Sequence, residues 1–580
     1  MSTPQGSNEK SIFISLAGMI QRFCQKVENL PKRIPEMIAC IAYVIAHIFI
    51  SFFHERWYDE AVAWQIAKCA SIKDILFEIP HYEGHPPLWH MILVPFAKLG
   101  APYELSLGIV SLLFAGTACC LIIWKSPFPR IIRLLLPFTY FFFFQYGVIS
   151  RPYCVMMLAF VLLAMAHKKR DTKPGIYVAL LMLLCLTSAY GILIAGGLTI
   201  AWILEMWNSQ KIVDFVKKML RDKRTMWLFV LLIFALLVVA VIMPRETTAA
   251  TSDMGKSYKI EGLIRCILYM FFALPSEVTM TSVYSEYQFL KNMQIPWASL
   301  AITCLLGIPI WFFIIKFGKR KKTLSTLLIP YVMYAAFAAA VYVCNHHIGI
   351  GLYIFVFWFW ISFDKEIKVD FSDIIEKGSE HNKNLISAIM VLFGSFAVII
   401  SLSWNVITCV QEVIYSYSIG KNEAEFIKEN GLDNYRIMAG FSVTYKDGKV
   451  KDMDVNQFMF VDNIAPYFDH NIFFNVNNGE DSLSYSTHQK ASKEEEKQMI
   501  ESWQTQPPDV LYMYPSIELI YEDIDLHAYK VVYHQKNYRL WKGFLNYEAS
   551  KIYAHDDLIE ELGLETCGGE TFAKMLLYNN

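Results

Sequence analysis

The chain is poor in charged residues. Only 18% of its 580 residues are Asp, Glu, Lys or Arg, whereas 55% are hydrophobic and 15% aromatic. The mean hydropathy is +0.34. This composition excludes an ordinary soluble globular protein and indicates a chain whose main solvent is the lipid bilayer. The formal net charge of -1 gives no sign of a nucleic-acid partner.

The sequence also lacks paired cysteines. Its 12 cysteines include no CxxC pair and no zinc spacing, and most lie in apolar runs, as Cys119, Cys120, Cys185 and Cys304 do. We interpret them as small buried hydrophobic residues, so they predict no metal site. Acidic residues and histidines are present without a diagnostic ligand spacing. The use of a metal or another cofactor therefore stays open.

We also expect no cleavable signal peptide. Residues 1–37 are polar and mixed in charge, and no small-residue cleavage site follows the first apolar run. We therefore expect that run, residues 38–53, to remain in the protein as a membrane span.

Long apolar stretches fill residues 38–404. A helix needs about 17–25 residues to cross the bilayer, and stretches near this length lie at 38–53, 104–124, 132–149, 227–243, 297–317, 324–344 and 385–404, with shorter ones at 153–167 and 349–363. The run 175–207 is too long for one span and predicts two, joined by a turn at residues 188–191. The sequence thus predicts a polytopic α-helical membrane protein with about eleven transmembrane helices.

Segment 87–99 is apolar but too short to cross the bilayer, and it contains Lys98. Its apolar residues recur at helical spacing. We expect an interfacial helix that lies along the outer membrane surface, within a first outer loop of residues 54–103.

Positive charge predicts the orientation, because Lys and Arg collect in cytoplasmic loops. Basic clusters at 125–133, 167–170, 211–224, 316–322 and 365–383 fall on one side under this span assignment. We therefore expect residues 1–37 and Lys319 in the cytoplasm. The opposite face receives residues 54–103, 150–152, 244–296, 345–348 and everything after 404, including Asn580.

The character of the sequence changes near residue 405. Apolar runs give way to sequence rich in Lys, Asp and Asn, with β-type segments at 510–514 and 529–533 and a polar helical stretch at 493–503. We expect residues 405–580 to form an α/β domain. Because the last span exits outward, this domain is expected to be extracytoplasmic.

Polar residues concentrate in the first outer loop. Asp59 and Glu60 follow the first span directly, and Glu83 and His85 lie about 25 residues later, before a Pro-Pro pair. An alternative role for Asp59 is to cap a helix with Glu60 in its first turn, where a negative charge suits the helix dipole. Most aspartates in this context do so.

Further polar clusters lie at the outer ends of other predicted spans: Ser150-Arg151-Pro152-Tyr153, Asn345-His346-His347, and the loop 244–296 with Arg245, Lys256, Lys259 and Arg265. An isolated interfacial Arg usually extends to lipid headgroups, and an isolated His is usually solvated. A carboxylate pair, an Arg and two His at one membrane depth instead favour a single cavity that suits a phosphate beside a general base.

The ordered set of motifs resembles a known family. Asp59-Glu60, then Gly84-His85-Pro86-Pro87-Leu88-Trp89, then Ser150-Arg151-Pro152-Tyr153 is similar to the GT-C glycosyltransferases, in particular the bacterial protein-O-mannosyltransferase-like and aminoarabinose-transferase-like branch. The resemblance covers residues 38–207, extends over the remaining membrane region by layout, and leaves out the C-terminal part. It implies a sugar donor on a polyprenyl phosphate whose lipid tail lies between the spans.

The resemblance also implies residue roles. Asp59 deprotonates the acceptor hydroxyl and Glu60 supports its position, while Arg151, His85, His346 and His347 surround the donor phosphate; Tyr153 and Glu83 complete the expected substrate-binding set. The chain departs from the family pattern in two places. His85 stands where related transferases carry a basic phosphate contact, so this ligand changes protonation near neutral pH. The cluster at 345–347 has no Arg.

The leading hypothesis is an inverting glycosyltransferase on the outer face of a bacterial plasma membrane. Its partners are the polyprenyl-phosphate sugar donor, a glycan, lipid or protein acceptor, and membrane lipids. An outer-face enzyme has no access to nucleotide sugars, so the activated donor has to arrive on a lipid. Two alternatives remain: a transporter or flippase for a lipid-linked glycan, which is expected to carry ionisable residues near the midplane, and a non-catalytic envelope assembly protein, which should tolerate Asp59→Asn.

Overall fold

The chain folds as a helical membrane protein. The computed structural model describes residues 5–31, 33–207, 211–245, 260–283, 295–365, 380–446, 449–454, 461–479, 491–513, 515–568 and 570–573. Within these residues, eight helical segments are long and apolar enough to cross a membrane: Ile34–Phe53, Tyr103–Lys125, Arg130–Val148, Ala189–Trp207, Lys223–Ile242, Trp297–Lys321, Asn345–Phe363 and Lys383–Ile414.

The remaining α-helices of the membrane-associated region are shorter, apart from the N-terminal one: Gln5–Glu28, Tyr58–Cys69, Ile72–Phe77, Pro80–Glu83, Leu88–Lys98, Tyr153–Ala166, Pro174–Cys185, Ile212–Met219, Ile260–Leu268, Leu274–Glu277 and Leu324–Ala340. Three of them, Tyr153–Ala166, Pro174–Cys185 and Leu324–Ala340, coincide with predicted spans. The long run 175–207 divides into two helices at residues 186–188, as the sequence predicts. Helix Leu88–Lys98 forms where an interfacial helix is expected, and at 11 residues it extends only about 16 Å.

The helix that contains the last predicted span does not end at residue 404. The helix Glu380–Ile414 continues for ten more residues. Polar side chains in this extension are held by distant partners: Thr408 Oγ1 accepts from Gly543 N at 2.9 Å, and Glu412 contacts His54 at 2.7 Å. The helix therefore continues because tertiary bonds satisfy residues that a sequence scan interprets as the start of a polar domain.

Two other segments differ from expectation. Residues 244–296 are predicted as a loop, yet they contain helices Ile260–Leu268 and Leu274–Glu277, joined by a π-helical turn. Lys256 and Lys259, like Asn580, lie outside the described residues. The polar N-terminal segment contains the helix Gln5–Glu28, which contacts helix Glu380–Ile414.

The C-terminal part is built on a mixed four-stranded sheet of order β1-β4-β6-β5. Its strands are β1 Ile437–Ala439, β4 Val510–Tyr512, β5 Tyr529–Trp541 and β6 Phe544–His555, and a separate hairpin pairs β2 Ser442–Lys446 with β3 Lys449–Asp454. Strand β1 runs parallel to β4, and the other pairs of the sheet are antiparallel. Helices Gly420–Glu429, Val461–Ile464, Lys493–Trp503 and Asp556–Leu562 accompany the strands.

The hairpin β5–β6 connects this part to the membrane helices. Lys542 and Gly543, at its two-residue turn, both have positive φ (48° and 82°), the combination that a type I′ turn requires. The turn enters the helical region: Gln411 Nε2 donates to Gly543 O at 2.8 Å, and Trp541 packs edge-on against Tyr140. Residues near the hairpin tip thereby come within reach of the segment that follows helix Ile34–Phe53, as Arg539 does at Trp57.

Candidate functional site

The segment that follows helix Ile34–Phe53 begins with a capped helix. Trp57 is extended (φ −74°, ψ 157°) and precedes helix Tyr58–Cys69. Its backbone N donates to Glu60 Oε2 at 3.0 Å, so Glu60, at the third helical position, satisfies an otherwise unpaired donor. The capping role considered for Asp59 therefore belongs to Glu60. The Asp59 side chain is left for another contact.

Glu60 is the centre of a fully buried polar network. It accepts hydrogen bonds from Arg56 Nη1 at 3.2 Å and from Ser150 N at 2.7 Å. His54 bridges Glu60 and Glu412 through its two ring nitrogens, at 3.0 and 2.7 Å. These contacts tie the loop to helix Glu380–Ile414 and to the segment that carries Ser150.

The charges of this network are set by its neighbours. Burial raises the pKa of Glu60, but His54 and Arg56 outweigh that effect and bring it to about 2. Burial lowers the pKa of His54, but Glu60 and Glu412 raise it to about 9. His54 is thus a buried imidazolium at neutral pH. Both carboxylate oxygens of Glu60 accept hydrogen bonds within this network, so its role is to position the loop.

Asp59 and Arg151 form an ion pair between two segments that are distant in sequence. Their side chains are only 15% and 11% exposed. The geometry follows from the anchor beside them, because Glu60 is next to Asp59 and its partner Ser150 is next to Arg151. The Glu60–Ser150 bond therefore brings the two charged side chains together.

Trp57 forms one wall of this site. The Arg151 guanidinium lies 5.8 Å from its ring centroid, and the His346 ring lies 5.6 Å away, edge to face. The Arg539 guanidinium lies 5.3 Å from the same centroid. Two guanidinium groups thus share one aromatic ring, the arrangement of a cation–π contact.

His346 and His347 form another wall of the site. The ring centroids of His346 and His347 are 4.1 Å apart, and the Tyr153 ring lies 6.2 and 5.9 Å from them. All three side chains are buried. Cys344 N donates to His347 Nδ1 at 2.9 Å, which assigns the ring proton of a neutral His347 to Nε2. Asp59, Arg151, Tyr153, His346 and His347 therefore belong to one contiguous cluster.

His85 and Glu83 lie at the edge of this cluster. They flank Gly84, whose φ of +64° ends the short helix Pro80–Glu83. His85 is within electrostatic range of His346 and His347. Glu83 is within range of Tyr58, the residue before Asp59.

The basic residues of segment 244–296 that the structure describes lie elsewhere. Arg245 pairs with Glu78 at 2.7 Å, and Arg265 pairs with Glu261 and lies 4.8 Å from the Trp297 ring centroid. These contacts give both arginines local partners outside the cluster around Trp57.

Arg539 is the residue that sequence reasoning missed. It lies on β5, three residues before the turn that enters the membrane region, and no local motif marks it. It adds a second guanidinium to the cluster that contains Asp59 and Arg151.

Among the described residues, no group of three or more His, Cys, Asp or Glu side chains has a geometry that could hold a metal ion.

A narrow apolar crevice begins about one helical turn from the cluster, at Met157. It lies between helices Tyr153–Ala166 and Ile350–Phe363 and is lined only by apolar and aromatic residues, among them Met157, Phe160, Tyr353, Phe357 and Trp360. Tyr153 begins one of these helices, and His347 lies three residues before the other. With a volume of about 10 Å³ the crevice is a narrow seam between packed helices, close to the polar cluster and separate from it.

No known protein family, curated protein or solved structure matches this chain.

Proposed function

We propose that the protein is a membrane glycosyltransferase of the GT-C kind, which transfers a sugar from a polyprenyl-phosphate donor to an acceptor hydroxyl with inversion. The observation that carries this proposal is the Asp59–Arg151 pair, anchored by the Glu60–Ser150 bond beside the Trp57 ring that Arg539 also faces. A carboxylate and a guanidinium at a membrane-embedded, largely buried position supply a base and a phosphate ligand together.

The cations act on the leaving group. The phosphate gains negative charge as the glycosidic bond breaks, and preorganised positive groups in a low-dielectric site stabilise that change. Arg151 supplies one guanidinium, and Arg539 supplies the second cation that the sequence 345–347 lacks. Donation from His85 to the same phosphate would depend on its protonation.

Asp59 acts on the acceptor. It contacts Arg151 directly, so the donor phosphate has to replace the carboxylate at the guanidinium, which leaves Asp59 to take the acceptor proton. The acceptor oxygen then bonds to the anomeric carbon from the face opposite the phosphate. The bond from that carbon to the phosphate oxygen breaks, and polyprenyl phosphate leaves with the electron pair.

The finer architecture belongs to the same proposal. We count the eight long apolar segments and the three shorter helices Tyr153–Ala166, Pro174–Cys185 and Leu324–Ala340 as eleven spans. Leu88–Lys98 is only one residue shorter than Pro174–Cys185, and it is left out because counting it would reverse the side of every later basic loop. The one-sided distribution of basic loops supports a cytoplasmic Lys319 and a C-terminal domain outside a bacterial plasma membrane. Cys567 is exposed on the C-terminal part, so the test uses a Cys567→Ser background. In intact cells an impermeant thiol reagent should label Asp469→Cys in this background and leave both Lys319→Cys and the background protein unlabelled.

A transfer assay tests the activity. Purified protein in detergent is given synthetic polyprenyl-phosphate donors with labelled sugars and a set of glycan, lipid and protein acceptors, and covalent label on an acceptor is the expected result. The same donors in protein-containing liposomes test the alternative, because a flippase moves the labelled lipid across the bilayer without transfer. Donor binding with neither reaction would indicate an assembly protein and overturn the proposal.

A further inference from the structure

A second concentration of charge surrounds a cavity of about 950 Å³ away from the candidate site. The cavity lies between residues 171–174 and the start of helix Lys223–Ile242. Five basic and two acidic side chains line it, an excess of three positive charges: Lys217, Lys218, Arg221, Lys223 and Arg224 against Asp171 and Asp222. A cavity of this composition attracts anions.

The acidic side chains of the cavity are already neutralised. Arg224 Nε donates to both Asp222 oxygens at 3.0 and 2.9 Å, and Arg224 also pairs with Asp171. In the part of the chain that the structure describes, Lys217, Lys218 and Arg221 have no ion-pair partner. The cation excess is therefore available to a ligand.

The cavity lies beside the end of a candidate membrane span. Lys223 begins a helix long and apolar enough to span the membrane, and Trp227, one turn further, lines the cavity at a position typical of interfacial aromatic residues. The preceding helix Ile212–Met219 exposes Ile212, Val213 and Val216 along one face. Such an apolar face on a basic helix lies in the membrane interface.

We propose that this cavity binds the headgroup of an anionic phospholipid from the leaflet that faces the basic loops. The orientation rule accounts for a basic loop, but it does not require these basic side chains to line one open surface cavity together with residues 171–174. The adjoining apolar face gives the acyl chains a place that free phosphate does not need. Because three positive charges exceed the charge of one phosphodiester, a lipid with two phosphates should bind more tightly than a lipid with one. This site is independent of the proposed transfer activity.

Native mass spectrometry of the purified protein tests the proposal. Cardiolipin, phosphatidylglycerol or phosphatidylcholine is added in detergent, and the lipid retained is counted for three proteins. These are the wild type, the cavity variant Lys217→Gln/Lys218→Gln/Arg221→Gln, and a control with equal charge loss, Lys125→Gln/Lys316→Gln/Lys319→Gln. Each cation near an anionic lipid contributes about fivefold to affinity, so the cavity variant should lose on the order of a hundredfold.

Two results would overturn the proposal. Equal retention of cardiolipin by the cavity variant and the control would exclude a specific site. Complete displacement of the lipid by an equal concentration of inorganic phosphate would assign the cavity to free anions. If the triple variant is not monodisperse in detergent, Lys218→Gln alone is compared with Lys319→Gln, and a loss of about fivefold is expected.

Discussion

Lys542 and Glu277 form an ion pair in which neither side chain is exposed, with Nζ 2.8 Å from Oε1. Lys542 Nζ also donates to the carbonyl of Thr281 at 2.8 Å and lies 4.6 Å from the Trp404 ring centroid. The pair joins the tip of the β5–β6 hairpin to helix Leu274–Glu277. It thereby fixes the strand that carries Arg539 beside Trp57.

Lys542→Met should destabilise the protein strongly, because it leaves the Glu277 carboxylate buried without its partner. Removal of one member of a buried pair typically costs about 3–5 kcal/mol. The control is Lys551→Met, at a pair with Glu570 that is partly exposed, for which about 0–1 kcal/mol is expected. Thermal unfolding in detergent compares the two variants. Equal midpoints would show that the buried pair does not hold the hairpin, and Lys542→Met/Glu277→Met should recover much of the loss.

Two adjacent glycines should respond differently to the same substitution. A Cβ on Gly197 would lie 2.8 Å from the backbone nitrogen of Pro330, whereas a Cβ on Gly196 would meet only Met333 Cε at 3.6 Å. Gly197→Ala therefore forces helices Ala189–Trp207 and Leu324–Ala340 apart, at about 1–3 kcal/mol. Gly196→Ala should be neutral or slightly stabilising. The unfolding midpoints of the two variants test this prediction. A midpoint of Gly197→Ala equal to that of Gly196→Ala would contradict the close helix contact.

The stability of the protein should fall above neutral pH because of His54. Its pKa of about 9 in the folded protein exceeds the value of about 6.5 for an unfolded histidine. The contribution of protonated His54 to the free energy of unfolding is therefore complete below pH 6.5 and is lost as the pH rises through 9. Glu60, with a pKa of about 2, stays charged throughout this range.

Unfolding midpoints between pH 6.5 and 9.5 measure this effect. The wild type and the exposed control His534→Gln should show the same decline, and His54→Gln should show a flatter profile from a lower starting midpoint. A decline of equal slope in His54→Gln would assign the pH dependence to other groups.

The sequence predicts the helical layer well because lipid imposes a simple rule. Long apolar runs must become helices there, since every backbone polar group needs an internal partner. Local signals also suffice for helix Lys493–Trp503, which begins where predicted because Ser492 and Glu495 form a capping box. The sequence does not predict the helical residues 405–414, whose polar side chains depend on His54 and Gly543.

The sequence likewise predicts one part of the candidate site and misses another. The sequence brings Asp59, Arg151 and the two histidines to one predicted face, because each lies at the end of an apolar run. It cannot predict that Glu60 also binds Ser150, since that bond joins residues 90 positions apart in the chain. The sequence gives no signal for the role of Arg539, because the position of this residue depends on a hairpin whose tip is anchored at Glu277.

Arg539→Gln should weaken donor binding about tenfold, through the loss of one charged contact to the phosphate. Donor affinity in detergent is the measurement, with Lys536→Gln, an exposed cation on the same strand, as the control. Arg539→Lys should recover part of the affinity, because it keeps the charge and loses the planar fork. Unchanged affinity in Arg539→Gln would remove the second guanidinium from the donor site.

Transfer of labelled sugar by Asp59→Asn tests the central claim most directly. The comparison is with the wild type and with Asp469→Asn, whose carboxylate is fully exposed on the C-terminal part, and donor affinity is measured on the same samples. A general base typically contributes about 10²–10⁴-fold, so Asp59→Asn should lose that much turnover while it still binds donor, whereas Arg151→Gln should lose donor affinity. Near-normal transfer by Asp59→Asn would contradict the account.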